Sequence, residues 1–245
     1  MAVKFHKLHS SGNDFLIIVG QENRDLNNFV NSEFISSLCD RHCGVGADGV
    51  FFVFENGVVK HFDPDGSESF CVNGSLCLAF FGEKTGYIKN FFHLNGVRIN
   101  VEKVSKDEAA ISFKIGKTKG ILLNVKGMIG TYIDIGNPHF FVEDIIPDVS
   151  VAKKLRNSPE FKKGANISFF KKIKDNTFEI ATYERGVEGF TLACGSACAA
   201  FVFAFNTERA IFYPPSKIPV FVEKKGNIVY VRGEVSYVAE GFFYI

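Results

Sequence analysis

Gly74-Ser75-Leu76-Cys77-Leu78-Ala79-Phe80 at positions 74–80 returns as Gly195-Ser196-Ala197-Cys198-Ala199-Ala200-Phe201 at positions 195–201, an offset of 121 residues. A second pair keeps the same order: Gly12-Asn13-Asp14-Phe15 and Gly136-Asn137-Pro138-His139-Phe140, offset by 124. Each match is short. Two in the same order, at about half of a 245-residue chain, argue for a duplicated domain. The segments 74–84 and 196–206 read as helices that are apolar on nearly every face, and such a helix is buried. Around them, residues 50–54, 111–115, 132–135, 178–183 and 228–232 alternate with a period of two and are rich in Phe, Val and Ile, which reads as strand. Further helices are expected at 32–39 and 151–157.

The expected fold is α/β (α+β): two pseudo-twofold-related lobes, each a curved, mostly antiparallel sheet around a central helix. The first lobe is expected over residues 1–118, completed by a C-terminal strand at 236–245, and the second over 119–235. The join falls near 117–130, where Gly116, Gly120, Gly127 and Gly130 cluster. A cleft between lobes is a common ligand site.

Lys and Arg number 28 against 27 Asp and Glu, a net charge of +1, so no basic excess exists for a phosphate backbone and no nucleic-acid partner is expected. No stretch approaches the ~20 apolar residues a membrane span needs, so no membrane role is expected. Met1-Ala2-Val3-Lys4-Phe5-His6 lacks a signal-peptide core, which reads as cytoplasmic. Six cysteines are too sparse for a disulfide scaffold, and reduced thiols are expected.

Gly44-Val45-Gly46-Ala47-Asp48-Gly49 fits a dinucleotide fingerprint in letters only. It follows polar residues and precedes a strand, so it reads as a Gly-rich turn. Cys39, His42 and Cys43 lack a second half for zinc, and no metal is expected. Cys71 and Cys194 differ from the other thiols, because each directly precedes one buried helix. A helix N-terminus offers unpaired N–H groups and partial positive charge, and is expected to lower a thiol's pKa. Two such thiols at equivalent places of a duplicated fold point to catalysis. Inverting a stereocentre by proton transfer needs a base on one face of a carbon and an acid on the other, and thiolate and thiol can exchange those roles. The substrate carboxylate would rest on backbone N–H groups at the helix starts. No organic cofactor is expected.

These residues resemble the diaminopimelate epimerase family over nearly the whole chain. The resemblance is carried by Ser11-Gly12-Asn13-Asp14-Phe15, the 44–49 turn, Asp65-Gly66-Ser67-Glu68, Cys71-x-Asn73-Gly74, Gly136-Asn137-Pro138-His139, Asn166-Ile167, Glu184-Arg185-Gly186-Val187 and Ala193-Cys194-Gly195-Ser196. It implies a cofactor-free epimerase of LL- and meso-diaminopimelate, serving lysine and cell-wall synthesis, and a homodimer. It makes Cys71 and Cys194 the acid/base pair. Asn73, Gly74, Gly195 and Ser196 would hold the reacting carboxylate. Asn13, Asp63, Asn137, Asn166, Glu184 and Arg185 would hold the rest of the amino-acid substrate, with His139 in support. The chain departs from the family pattern at Asp63 (usually Asn), Leu76 (usually Arg), Val72 and Ala197 (usually Gly), and Phe190 (usually acidic). Val72 would be strained if its backbone needed a positive φ. Two other readings stay open: a two-cysteine racemase of another amino acid, favoured by Asp63 and Phe190, and an inactive amino-acid-binding homologue, favoured by Val72 and Ala197.

Overall fold

A computed structural model of the chain describes residues 2–55, 57–162 and 164–245. Contacts divide it into two compact units, Met1–Phe113 with Glu234–Ile245, and Lys114–Gly233. Unit 1 holds β1 (Ala2–Ser10), β2 (Asn13–Val19), α1 (Ser32–Cys39), β3 (Gly49–Val53), β4 (Val58–Phe62), α2 (Val72–Thr85), β5 (Phe91–Leu94), β6 (Val97–Val104) and β7 (Glu108–Lys114), the last ending at the division. Unit 2 holds β8 (Ile121–Val125), β9 (Met128–Asp134), β10 (Pro138–Glu143), α3 (Val149–Arg156), β11 (Asn166–Lys174), β12 (Thr177–Glu184), β13 (Gly189–Phe190), α4 (Gly195–Ala204), β14 (Arg209–Tyr213) and β15 (Val220–Lys225). The long β16 (Ile228–Tyr244) runs through the division.

The strand pairing is the same in both units. In unit 1, β1–β2 is antiparallel, β2–β3 parallel, β3–β4 antiparallel, β4–β5 parallel, and β5–β6 and β6–β7 antiparallel. In unit 2, β9–β10, β10–β11, β11–β12, β12–β14, β14–β15 and β15–β16 repeat that series in order. β8 precedes the series as the antiparallel neighbour of β9. Unit 1 has no strand before β1, and the C-terminal part of β16 takes that place, with Tyr244 opposite Ala2 and Val235 opposite Ser10. The pairing within each unit is therefore mostly antiparallel, as the short, alternating segments predict, with two parallel pairs where a helix intervenes.

Both central helices are buried as their all-apolar sequence requires: every residue from Val72 to Gly82 in α2, and from Gly195 to Val202 in α4. α2 packs on β1, β2 and β6, and α4 on β9, β10, β14 and β15. The approach of α2 depends on Gly74, where a Cβ would lie 2.2 Å from the Phe51 ring. The recurrence of Gly12 and Gly136 also has a backbone cause. Both adopt left-handed conformations, φ +85° and +103°, that an L side chain rarely tolerates. The 44–49 segment is a turn leading into β3, with Gly46 at φ +78°, so the dinucleotide reading fails on context as expected. Among the described residues no helix is long and apolar enough to cross a membrane.

Gly74→Ala should therefore destabilise the fold by about 1–3 kcal/mol, the usual cost of overpacking. Urea unfolding checks this. Phe51→Leu in the same chain should recover part of the loss, because it removes the ring that the new methyl meets.

Candidate active site

Each unit places a cysteine at the N-cap of its buried helix. Cys71, half-buried, caps α2, and its Sγ accepts the Gly74 N–H at 3.4 Å. Asn13 enters from the start of β2. Its Oδ1 lies 3.9 Å from Cys71 Sγ and accepts Asn73 Nδ2 at 3.4 Å, while its own Nδ2 donates to Asp48 Oδ2 at 2.8 Å. Asp48 is in turn bound by Arg41 at 2.6 Å, and Arg41 also grips Asp14 at 2.7 Å. The Gly-rich turn thus delivers an acid that sets which way the Asn13 amide points.

Unit 2 repeats the plan. Cys194 caps α4, and its Sγ lies 3.4 Å from Ser196 Oγ. Asn137 donates to Ser196 Oγ at 3.5 Å. Asn166, buried at the start of β11, accepts the Arg185 N–H at 2.8 Å and donates to Pro138 O at 3.2 Å. It therefore shapes the backbone that presents Arg185. Gly195 and Ser196 open α4 as Asn73 and Gly74 open α2.

One expectation needs correction. The start of a helix does not lower the Cys194 thiol. Burial pushes it well above the ordinary thiol value, and Glu184 adds to the rise, while the Ser196 hydroxyl and Ala197 N–H pull down less. A buried thiolate near a carboxylate loses more hydration than two donors return. Cys194 therefore rests as the thiol. Cys39, Cys77 and Cys198 are also raised by burial, as core cysteines should be.

Register exposes a second duplicated device. Gly49 opposes Phe15 on the neighbouring strand as Asn166 opposes His139, and Phe51 opposes His61 as Ser168 opposes Thr182. Two residues beyond each of the latter stand Asp63 and Glu184. Ser69 Oγ donates to Asp63 Oδ1 at 2.8 Å, and Thr191 Oγ1 donates to Glu184 Oε1. Ser69 N and Thr191 N both reach back, to His61 O and Thr182 O. Each unit thus carries a strand-end acid held by a hydroxyl just upstream of its cysteine. The sequence reading missed Ser69 and Thr191, although a hydroxyl shortly before each cysteine was visible.

The departures also resolve locally. Val72 is the first residue of α2 and is absent from the positive-φ residues, so it is not strained. Phe190 packs on Tyr183 and Phe169 in the apolar core of unit 2. Its place is explained by packing. His139 is fully buried, its ring stacked on Phe141, and neither ring nitrogen meets a hydrogen-bond partner among the described residues. Burial, with a smaller push from Arg185, lowers it to about 3. Among the described residues no group of three or more His, Cys, Asp or Glu side chains stands together as a metal cluster.

A family model described as diaminopimelate epimerase matches residues 131–236. The diaminopimelate epimerase of Caldanaerobacter subterraneus subsp. tengcongensis is 31% identical, over 98% of this chain and 98% of that protein. Diaminopimelate epimerase 1 of Nostoc is 33% identical, over 86% of each. Among solved structures, a hydroxyproline epimerase from Agrobacterium vitis with bound trans-4-hydroxy-L-proline superposes with a TM-score of 0.74 at 10% identity, covering 98% of this chain and 92% of that one. A phenazine biosynthesis PhzF-family protein from Enterococcus faecalis gives 0.70 at 16% identity, covering both chains fully. At such identities these two speak for the fold alone.

His139 and His61, the latter lowered to about 4 by burial, are neutral in the folded chain at pH values where the unfolded chain is protonated. Folded values below the unfolded ~6.5 mean that this stability is present above pH 6.5 and lost as pH falls toward 4 and 3. Between pH 7.5 and 5 each should cost about 2 kcal/mol. Urea midpoints across that range check it, and His139→Phe should flatten the acid limb by about its share.

Proposed function

We infer the reaction from kinship and site together: this chain belongs to the diaminopimelate epimerase family, and is an isomerase. The substrate is 2,6-diaminopimelate, interconverted between its LL and meso forms for lysine and peptidoglycan synthesis. The observation that carries this reading is the doubled thiol-capped buried helix: Cys71 on α2 with Asn13 near its sulfur, and Cys194 on α4 with Asn137 on the Ser196 hydroxyl that its sulfur meets. A single such cysteine has an ordinary packing explanation. A matched pair suits a reaction that needs two proton carriers and is reversible.

One sulfur, as thiolate, removes the Cα proton, and the C–H electron pair passes into the adjacent carboxylate. The other, as thiol, returns a proton to the opposite face. Their protonation states exchange, so the reverse reaction starts where the forward one ends. Cys194 enters as the donor, since burial and Glu184 keep it protonated. The backbone N–H groups of Asn73, Gly74, Gly195 and Ser196 hold the carboxylate as its charge grows, with no reorganisation at that moment. Asn13 and Asn137 fix the substrate's polar ends, and the buried Asn166, which the resemblance had offered to the substrate, instead holds the backbone that presents Arg185. The planar Arg185 fork takes the far carboxylate, and Glu184 and Asp63 take ammonium groups. His139 supports the floor of this site as a neutral ring. The same proposal includes a homodimer and a cytoplasmic location.

A racemase of another amino acid is favoured now by Asp63 alone, since Phe190 belongs to the core. Incubation with LL-diaminopimelate in D2O separates the two readings: deuterium at Cα with formation of the meso isomer supports the proposal. Exchange only with a different amino acid overturns the substrate.

Cys71→Ala and Cys194→Ala should each lower epimerisation by at least about 10³-fold, because neither proton carrier is spare. Circular dichroism should show both still folded. Arg185→Lys should raise KM about tenfold while kcat changes little, since a point charge cannot replace a two-pronged donor.

A further inference from the structure

We propose that His61 is a positioning residue, which acts through the Ser69 hydroxyl to hold the Asp63 carboxylate toward a cationic group of the substrate. The proposal rests on the functional reading above for the identity of that substrate.

The two units match in register strand for strand. Where unit 2 has Asn166 and Thr182, unit 1 has Gly49 and His61. The two changes compensate each other in space. A Cβ on Gly49 would lie 2.4 Å from His61 Nε2, so the imidazole occupies the volume that a side chain on β3 would fill. The ring is fully buried and lies 4.3 Å, centroid to centroid, from Phe51 and 5.7 Å from Phe15. A polar ring is a costly filler for an apolar slot unless its nitrogens are used.

One of them is used in a directional way. His61 Nδ1 lies 3.2 Å from the Ser69 carbonyl and 2.9 Å from Ser69 Oγ. A carbonyl can only accept, so the proton sits on Nδ1. Nε2 is then a bare acceptor and meets no donor among the described residues. With Nδ1–H donating to it, Ser69 Oγ must spend its own proton elsewhere, and that proton goes to Asp63 Oδ1 at 2.8 Å. The chain therefore runs one way, from His61 through Ser69 to Asp63.

Its anchor points are fixed independently. Asn95 donates to the Ser69 carbonyl at 2.6 Å and accepts the His61 N–H at 3.3 Å, and Ser69 N donates to His61 O at 3.1 Å. In unit 2 the corresponding hydroxyl, Thr191, holds Glu184 with no imidazole behind it. Thr182, in the place of His61, instead pairs with Ser168 at 3.0 Å. Both acids are held by a hydroxyl, and only the hydroxyl that holds the shorter Asp63 is itself bound by an imidazole.

Two measurements on the full-length chain test this. Histidine 15N spectra without substrate should show His61 neutral with its proton on Nδ1, and Ser69→Ala, which keeps the carbonyl that accepts this proton, should leave it there. A wild-type His61 protonated on Nε2 overturns the proposal whatever the substrate. In deuterium exchange with LL-diaminopimelate, His61→Leu and Asp63→Asn should each raise KM about tenfold, roughly the worth of one charge-assisted hydrogen bond, with kcat falling less than threefold. The double variant should be no worse than Asp63→Asn alone, and His61→Gln, which keeps a donor, should recover most of the loss. Multiplying effects, or a fall in kcat at unchanged KM, overturns the proposal. If His61→Leu does not fold, Ser69→Ala must show the same KM rise and the same non-additivity with Asp63→Asn. A wild type inert toward diaminopimelate but with the expected tautomer overturns the substrate reading and leaves the hydrogen-bond chain standing.

Discussion

A helix buried on every face cannot leave its first N–H groups to water, and that requirement organises both units. α2 and α4 are sealed by sheet and loops from their first residues onward. Their leading amides need acceptors from the protein or from a ligand. Sulfur is a poor acceptor, so a cysteine cap leaves much of that capacity unspent. Gly74 N reaches Cys71 Sγ at a long 3.4 Å, and the Ala197 N–H acts on Cys194 in the same sense. In the proposed reaction, the buried ends that would be a liability in a structural helix would each offer N–H groups to a carboxylate.

The sheet beneath exists in two copies of one pairing pattern, and the copies have diverged in where they put their polar groups. Unit 2 carries its buried imidazole on the second strand of the repeated series, at His139 on β10, and unit 1 carries one on the fourth, at His61 on β4. Both are stripped of charge by burial. Neither ring can then repel a substrate ammonium group or neutralise a neighbouring carboxylate. Asp63 and Glu184 show the same conservation of plan with exchange of parts: a short acid with a backed hydroxyl on one side, a long acid with a hydroxyl alone on the other.

The thiol chemistry shows how opposing physical effects are ranked. A helix start favours thiolate by a modest, short-ranged effect. Complete burial opposes it by far more, and at Cys194 a carboxylate adds to burial. Cys194 therefore rests as the thiol.

Much of this was legible from the residues in order. An all-apolar segment can only be an interior helix, and Gly12 and Gly136 recur because only glycine sits comfortably at φ +85° and +103°. Two thiols at two helix starts follow from spacing alone. So does the rejection of the Gly-rich turn as a dinucleotide site, since a strand follows it. Other features arise between strands that are distant in sequence. His61 fills the space above Gly49 only because β3 and β4 pair in one register, and Asp63 meets Ser69 only because the chain turns back through Asp65-Gly66. Val72 and Phe190 read as departures along the chain and are ordinary in space, one at a helix start and one in an aromatic core. The sequence by itself determined the repeat, the buried helices and the placement of the thiols, because these depend on local pattern. Only the tertiary structure decided the charge state of Cys194, His61 and His139 and the direction of the His61–Ser69–Asp63 chain, because desolvation and hydrogen-bond direction depend on what surrounds each atom.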